Sequence, residues 1–448
     1  MSQSQNAKFT TGSTMRHVVV MTLTGSLGLS FMFLVDFLAL FWISRLGRED
    51  LLAAVGFAAT VQFFLISISV GMMIAAVALV SRALGQGDPD RARRIATSSM
   101  VYSTATQGVI AVVVFTSRDA ILGWSGASGE VLQVASHFLG ISVVSLPLIA
   151  LGMSAAAVLR AAGEAWRAMM VTTTGGLAAV VVDPILIIWM DLGVPGAAMA
   201  IVISRLVMAC AGVYWVTGKG LIGRPGLDDL RSTAAPFLGI ALPAVATQIS
   251  TPFGNWVLIR AMAEHGDSAV AGLGVAARLQ ILGFGGIFAL SGAIGGIIGQ
   301  NHGANMPGRV RQSYIDALKF CAVYTAAVWA LMVIFADPLA RAFGLTGQAA
   351  EVVHWFALIG AGSFMFTGAL FVSNAAFNNL GRPLWATMAN WARDGGLMAP
   401  LAFGLGAYFA APGVIAGQAV ANVLAGTLAA WVGWRFVSRG LDPAPRLA

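Results

Sequence analysis

Long apolar runs alternate with short polar connections along the whole chain. Twelve such runs lie at about 17–45, 53–80, 95–116, 131–159, 168–190, 194–217, 233–263, 268–299, 312–336, 350–378, 384–410 and 412–437. Most exceed the roughly 20 residues that a helix needs to cross the hydrocarbon of a bilayer, and tilt or overhang absorbs the excess. The pattern predicts an all-α membrane protein with twelve transmembrane helices. Polar residues inside the runs are few, which makes each of them conspicuous. In "FMFLVDFLALFWI", Phe31 to Ile43, Asp36 is the one charge among twelve apolar residues.

The runs also repeat. "LAAVGFAA" at 52–59 recurs as "VAGLGVAA" at 270–277, "GQGDPDRAR" at 85–93 as "GANMPGRVR" at 303–311, and "RAAGEA" at 160–165 as "NNLGRP" at 378–383, all three by the same step along the chain. "PGAAMA" at 195 returns as "PGVIAG" at 412, one position short of that step. Three weak matches at one offset and a fourth one position short, all in one order, predict two six-helix halves related by a parallel repeat, with a pseudo-axis along the membrane normal. Such repeats belong to alternating-access transporters that hold substrate between the halves. The expected organisation is a tail at 1–16, a lobe at 17–217 that carries the coupling site, a linker at 218–232, a second lobe at 233–437 and a tail at 438–448. Gly85 and Gly303, at the ends of runs, read as turn residues.

Composition agrees that lipid is the solvent. The chain is 58% hydrophobic and 10% charged, with a mean hydropathy of +0.82, against about 25% charged residues in a soluble chain. The formal charge of +7 raises nucleic acid as a partner. No stretch interleaves Lys and Arg with stacking aromatics, however, so no nucleic-acid binding is expected. The basic residues instead report sidedness. Of 26 Lys and Arg, 17 fall on the termini and even-numbered loops, five on odd-numbered loops and four inside runs. By the positive-inside rule both termini are cytoplasmic, in a multi-pass protein of the plasma or inner membrane. The N-terminus has no cleavage site after a short apolar core and reads as a retained tail. Cys210 and Cys321 lie in apolar runs, and the five histidines are scattered. Neither disulfide framework nor metal-ligand spacing results, and no catalytic constellation or phosphate loop is present. An enzyme is not expected, nor a metal or cofactor. A channel would need a filter of carbonyls or charge rings, and none is visible.

The sequence "LVDFLALFWISRLGREDLLAAVG", followed by "SRALGQGDPDRAR", "VLRAAGEAWRAMM", "VVVDPILI" and "GIIGQNHGANMPGRVRQ", resembles the multidrug and toxic compound extrusion (MATE) family over roughly residues 20–435. Acids in the first and fifth runs, with none in the seventh ("PAVATQISTPFGNWVLI"), resemble its DinF-like bacterial branch. The resemblance implies cation-coupled efflux of organic, often cationic or amphipathic, compounds. The partners expected are a small-molecule substrate and membrane lipid, with the protein acting as a monomer powered by the proton motive force or by sodium. A lipid-linked saccharide flippase of related fold is the alternative. It would want a basic central cavity, and only Arg205, Arg278 and Arg393 are available to line one. A major-facilitator transporter also has two six-helix halves, but the "GQNHGA" and "LAAVG" marks do not belong to it.

An ionisable group in mid-membrane costs about 2.5–3.5 kcal/mol on insertion scales and is a functional candidate by default. Asp36 lies nine residues before Arg45, and Asp183 eight before Asp191. At 1.5 Å per residue both sit about 12–14 Å below the outer helix ends. Arg205, eleven residues past the outer turn, lies at about 16 Å. The family resemblance implies that the two acids share one cavity. A carboxyl in apolar surroundings titrates above its usual value of about 3.9, which suits proton uptake and release. Pro184 follows Asp183 and removes a backbone donor, so a kink is expected beside that acid. The resemblance also implies an asparagine one turn before Asp183, a tyrosine near Phe138 and a threonine near Ile201. Ala179, Phe138 and Ile201 stand there instead. Oxygen ligands for sodium are thereby lost, which favours protons. Arg205 stands where an uncharged polar residue would be usual. It is always charged, so as a partner of Asp36 or Asp183 it would oppose that acid's protonation; otherwise it is a packing residue. Arg393 and Asp394 are adjacent, point about 100° apart on a helix, and are expected to pair with groups on other helices. The aromatic residues of the first run and the 19 methionines suit an adaptable apolar site, although lipid contact is the expected role of most.

Overall fold

The structure, a computed structural model, describes residues 7–44 and 49–439. Every long apolar run is helical. In chain order the helices are α1 (Thr14–Ser44), α2 (Glu49–Gly85), α3 (Pro89–Trp124), α4 in two pieces (Gly129–Val143 and Leu146–Ala161), α5 (Ala165–Trp189), α6 (Gly193–Gly218), α7 (Leu227–Ala263), α8 (Asp267–Gly303), α9 (Pro307–Ala342) and α10 (Gly347–Asn379). The two pieces of α4 meet at a bend of 49°.

The last helical stretch, Pro383–Ser438, counts 56 residues. It would be about 84 Å long if straight, far more than one membrane crossing needs. It is not straight. Ala410 has φ 54° and ψ −145°, outside the helical region, and Pro412 follows. A Cβ placed on Gly413 would strike the Leu405 carbonyl, and one on Gly417 would lie within 2.6 Å of Ala402 N. Residues 402 and 417 would be about 22 Å apart along a continuous helix, so the chain must turn back on itself. The stretch is therefore two antiparallel helices, α11 (383–409) and α12 (411–438), which makes twelve among the described residues.

The repeat is explicit in the backbone. The step that carries 85 to 303 also carries both bounds of α2 onto those of α8, and both bounds of α3 onto those of α9. Left-handed backbone recurs at the same offset, at Gly87 and Asn305, Gly126 and Gly344, Gly129 and Gly347, and Gly163 and Gly381. Gly85 and Gly303 are not the turn residues the sequence suggested. Each is the last residue of its helix, where a Cβ on Gly85 would strike the Gln300 carbonyl and one on Gly303 the Arg82 carbonyl. Because Arg82 and Gln300 are separated by that same offset, the two contacts are mates across a pseudo-two-fold. Small residues at such a crossing let backbones touch where dispersion and interhelical hydrogen bonds, not the hydrophobic effect, hold helices together.

By contact the chain forms two compact units. One comprises residues 27–80 and 88–245, the other residues 1–26, 81–87 and 246–448. These limits differ from lobes at 17–217 and 233–437, because the N-terminal parts of α1 and α7 each join the unit built mainly from the other half. In the first unit the core gathers Leu122, Phe138, Leu139, Leu146 and Ile187. In the second, Phe284 and Phe364 stack at 4.4 Å, and the Tyr314 hydroxyl meets Ser373 at 2.8 Å and donates to the Ala430 carbonyl. The second unit also holds part of the segment that the sequence reads as an N-terminal tail. Gln300 Oε1 accepts from Phe9 N at 2.9 Å, and Arg309 donates to the carbonyls of Phe9, Thr11 and Gly12.

Candidate functional site

Asp183 lies on α5, only 4% exposed. Pro184 follows, and the helix widens to a π turn over Ile185–Trp189. Proline supplies no N–H to the carbonyl four residues back, so the register must slip. The slip is visible where Met190 N donates to the Ile185 carbonyl at 2.8 Å. The kink expected beside this acid is thus a local widening near the C-terminal end of α5.

α1 runs beside α5. A Cβ on Gly28 would sit 3.1 Å from Met169, and one on Gly176 would sit 2.9 Å from Phe31 and 3.2 Å from Val35. Asp36 follows Val35 directly and belongs to α1; its side chain lies outside the described residues. The α1 turn that carries Asp36 therefore packs on α5 about two helical turns before Asp183.

Arg205 on α6 is 8% exposed. Among its contacts, it donates to Gln62 Oε1 at 2.6 Å, to Ser145 Oγ at 2.9 Å and to the Ser142 carbonyl at 3.2 Å. Gln62 Nε2 in turn donates to Ser142 Oγ at 3.1 Å. The bend in α4 explains the site. Between Val143 and Leu146 the helix ladder is interrupted; the Ser142 carbonyl accepts there from Ser145 N and Ser145 Oγ, and the guanidinium adds a further donor. Ser204 Oγ, one residue before Arg205, donates to the Gly175 carbonyl of α5 at 2.7 Å and fixes α6 on the helix that bears Asp183. Gln62, Ser142 and Ser145 were not singled out from sequence. A glutamine in an apolar run and two serines three residues apart were the available signals, but which helix face they occupy depends on the packing. Ala179 and Phe138 are buried, and Phe138 belongs to an apolar core against which Ile201 packs. The three positions without the expected polar groups are thus filled by hydrocarbon.

The second half holds a different ionic group. Arg393 and Asp394 were expected to seek partners on other helices. They pair with each other, Nε to Oδ1 at 2.7 Å and the second nitrogen to Oδ2 at 2.9 Å. They lie on a π turn, Ala392–Leu397, where the step between neighbours is no longer that of an α-helix and the long arginine arm folds back. Ser250 Oγ of α7 donates to Asp394 at 2.9 Å, and Gly254 leaves room for the carboxylate, since a Cβ there would lie 2.9 Å from Oδ1. Arg278 and Lys319, the remaining basic residues inside runs, are exposed.

The family model MatE matches residues 26–185 and again 243–403, one match in each half. Among curated proteins, the chain is 27% identical over 394 residues to a FAD transporter of Shewanella oneidensis, covering 86% of this chain and 87% of that one. It is 25% identical over 414 residues to the multidrug export protein MepA of Staphylococcus aureus, with 86% of each covered. Among solved structures, a multidrug resistance MATE transporter in an outward-facing conformation superposes with a TM-score of 0.91 at 22% identity, over 98% of this chain and 99% of that one. A mutant of the Vibrio cholerae MATE transporter VcmN superposes with a TM-score of 0.90 at 24% identity, over 97% and 98%.

Proposed function

Because the chain belongs to the MatE family, whose members are transporters and not enzymes, we propose that it exports organic compounds in exchange for protons by alternating access, with Asp36 and Asp183 as the coupling acids. The observation that carries this reading is the burial of Asp183 at the π turn of α5, on the helix against which the Asp36 turn of α1 packs. A buried carboxyl is costly when charged and cheap when neutral. Protonation at a helix that is already widened changes the balance between two packings of α5.

Protons are favoured over sodium by the three positions that the resemblance would fill with polar groups. A hard cation needs several oxygen ligands, and Ala179, Phe138 and Ile201 offer none. Arg205 is the charge partner in this scheme, holding one of the acids ionised in one conformation and releasing it in the other. Both termini are placed in the cytoplasm, on the bias of basic residues. The relatives transport FAD in one case and export multiple drugs in the other. A substrate screen therefore needs planar anionic nucleotides as well as organic cations.

The experiment is uphill export in proteoliposomes, driven separately by a pH gradient and by a sodium gradient. Asp36→Asn and Asp183→Asn should each abolish proton-driven export while the protein still inserts and binds substrate, because the isostere removes titration and keeps shape. Export driven by sodium alone would reassign the coupling ion. Near wild-type transport in both variants would remove the two acids from the mechanism.

A further inference from the structure

Hydroxyls in the membrane helices mostly donate back to their own backbone. Thr60 donates to the Gly56 carbonyl, Ser67 to Phe63, Thr97 to Arg93 and Thr116 to Val112, all four residues earlier. This habit removes the cost of a hydroxyl in hydrocarbon. The habit fails singly at Thr22, Ser313, Thr325 and Thr367, and in the middle of α3 at Ser98, Ser99, Ser103 and Thr104 together. Ser99 and Ser103 are 0% and 1% exposed, and their Oγ atoms have no protein partner. Gln107 is 0% exposed; its Nε2 donates to Ser69 Oγ and to the Leu65 carbonyl at 2.8 Å, while its Oε1 has no protein partner.

These three residues are four apart, so they line one face of α3 with a rise of about 6 Å between them. That is the span one water bridges with two hydrogen bonds of about 2.8 Å. An unsatisfied buried hydroxyl or amide costs about 1–3 kcal/mol, and buried water is the usual remedy where the site is polar. The stripe also leads somewhere. Ser99 lies ten residues from the start of α3 at Pro89. At the other end Gln107 holds Ser69 of α2, and two turns along α2 Gln62 holds Arg205 and Ser142. All of these residues belong to one compact unit, the one that also contains Asp183.

We propose that Ser99, Ser103 and Gln107 hold a file of ordered waters that relays protons along α3 toward its N-terminal end. The step is a relay. Each water accepts one proton and donates another, and the serine hydroxyls do both, so no group keeps a charge and no bond other than O–H is made or broken. The proposal rests on the proton-coupled reading above. It supplies a route along α3 for protons in the unit that contains Asp183.

Two measurements test it. In proteoliposomes with an internal pH indicator, Ser103→Ala and Gln107→Met should slow substrate-driven proton movement at least tenfold. Ser103→Thr, which keeps the hydroxyl, should stay within about twofold of wild type, with substrate binding in detergent unchanged in all three. Rates within twofold of wild type for both Ser103→Ala and Gln107→Met would overturn the relay. Radiolytic hydroxyl-radical labelling reads the water itself, without transport. Met100, next to Ser99 and only 5% exposed, should be oxidised in the wild type and several-fold less in a Ser99→Val, Ser103→Val variant. An unlabelled Met100 would mean a dry stripe, and loss of its labelling on adding sodium would place a cation there; either result overturns the proposal. Labelled Met100 in a wild type whose transport moves sodium and no protons would refute the coupling reading, and the relay with it, while leaving the waters in place.

Discussion

Gln62 joins Arg205 to the bend in α4, and the strength of that junction can be measured. Gln62→Leu keeps the volume and removes two hydrogen bonds, from Arg205 at 2.6 Å and to Ser142 Oγ at 3.1 Å. Interhelical hydrogen bonds in membrane proteins average about 0.6 kcal/mol in double-mutant cycles, with a maximum near 1.7. A charged donor roughly doubles a neutral bond. The Arg205–Gln62 bond is short, charge-assisted and buried, so its coupling should lie near the upper end, at about 1.2–1.7 kcal/mol. The bond to Ser142 adds about 0.6 kcal/mol to the single-mutant loss. The assay is reversible unfolding in mixed micelles of wild type, Gln62→Leu, Arg205→Met and the double variant. The cycle cancels whatever else Arg205 contacts, provided the double variant repacks without new contacts. A coupling energy below about 0.3 kcal/mol would show that the guanidinium does not depend on Gln62. The account of Gln62 as the junction between Arg205 and the α4 bend would then fail.

Two further outcomes follow from the structure. Cysteines introduced as Asp90→Cys and Gly308→Cys, in a background lacking Cys210 and Cys321, should react with an impermeant reagent only from the cytoplasmic side. Both positions are exposed and lie just past the left-handed residues Gly87 and Asn305, so they test sidedness without straining the turn; labelling of both in intact cells would invert the topology. Arg309→Ala should free the N-terminal segment, since that side chain donates to the carbonyls of Phe9, Thr11 and Gly12. Limited proteolysis should then cut within residues 8–13 at least several-fold faster than in the wild type, and an unchanged rate would mean that the bonds of Phe9 to Gln300 and Asn301 hold the segment without Arg309.

The twelve crossings, the parallel repeat and the distortion beside Asp183 were legible in the sequence because each depends on position along the chain. Hydrocarbon demands long apolar runs with every backbone group paired internally, so the lengths and order of the helices follow from hydropathy. Pro184 cannot donate to the helix ladder wherever the helix packs. A duplicated chain keeps its offset, so the step from Gly163 to Gly381 that aligns the two halves in sequence reappears in left-handed backbone. What sequence could not decide was which side chains meet across helices. Gln62, Ser142 and Ser145 come from two helices, and they converge on Arg205 only because α4 breaks between Val143 and Leu146. Arg393 and Asp394 read as neighbours pointing apart, and a π turn made them a pair. Gly85 and Gly303 read as turn residues, and their close approach to backbone carbonyls appears only when α2 and α8 cross. Each of these depends on helix rotation and local register. Those are set by packing summed over many small contacts, and they leave no periodic trace in a chain that is apolar on nearly every face.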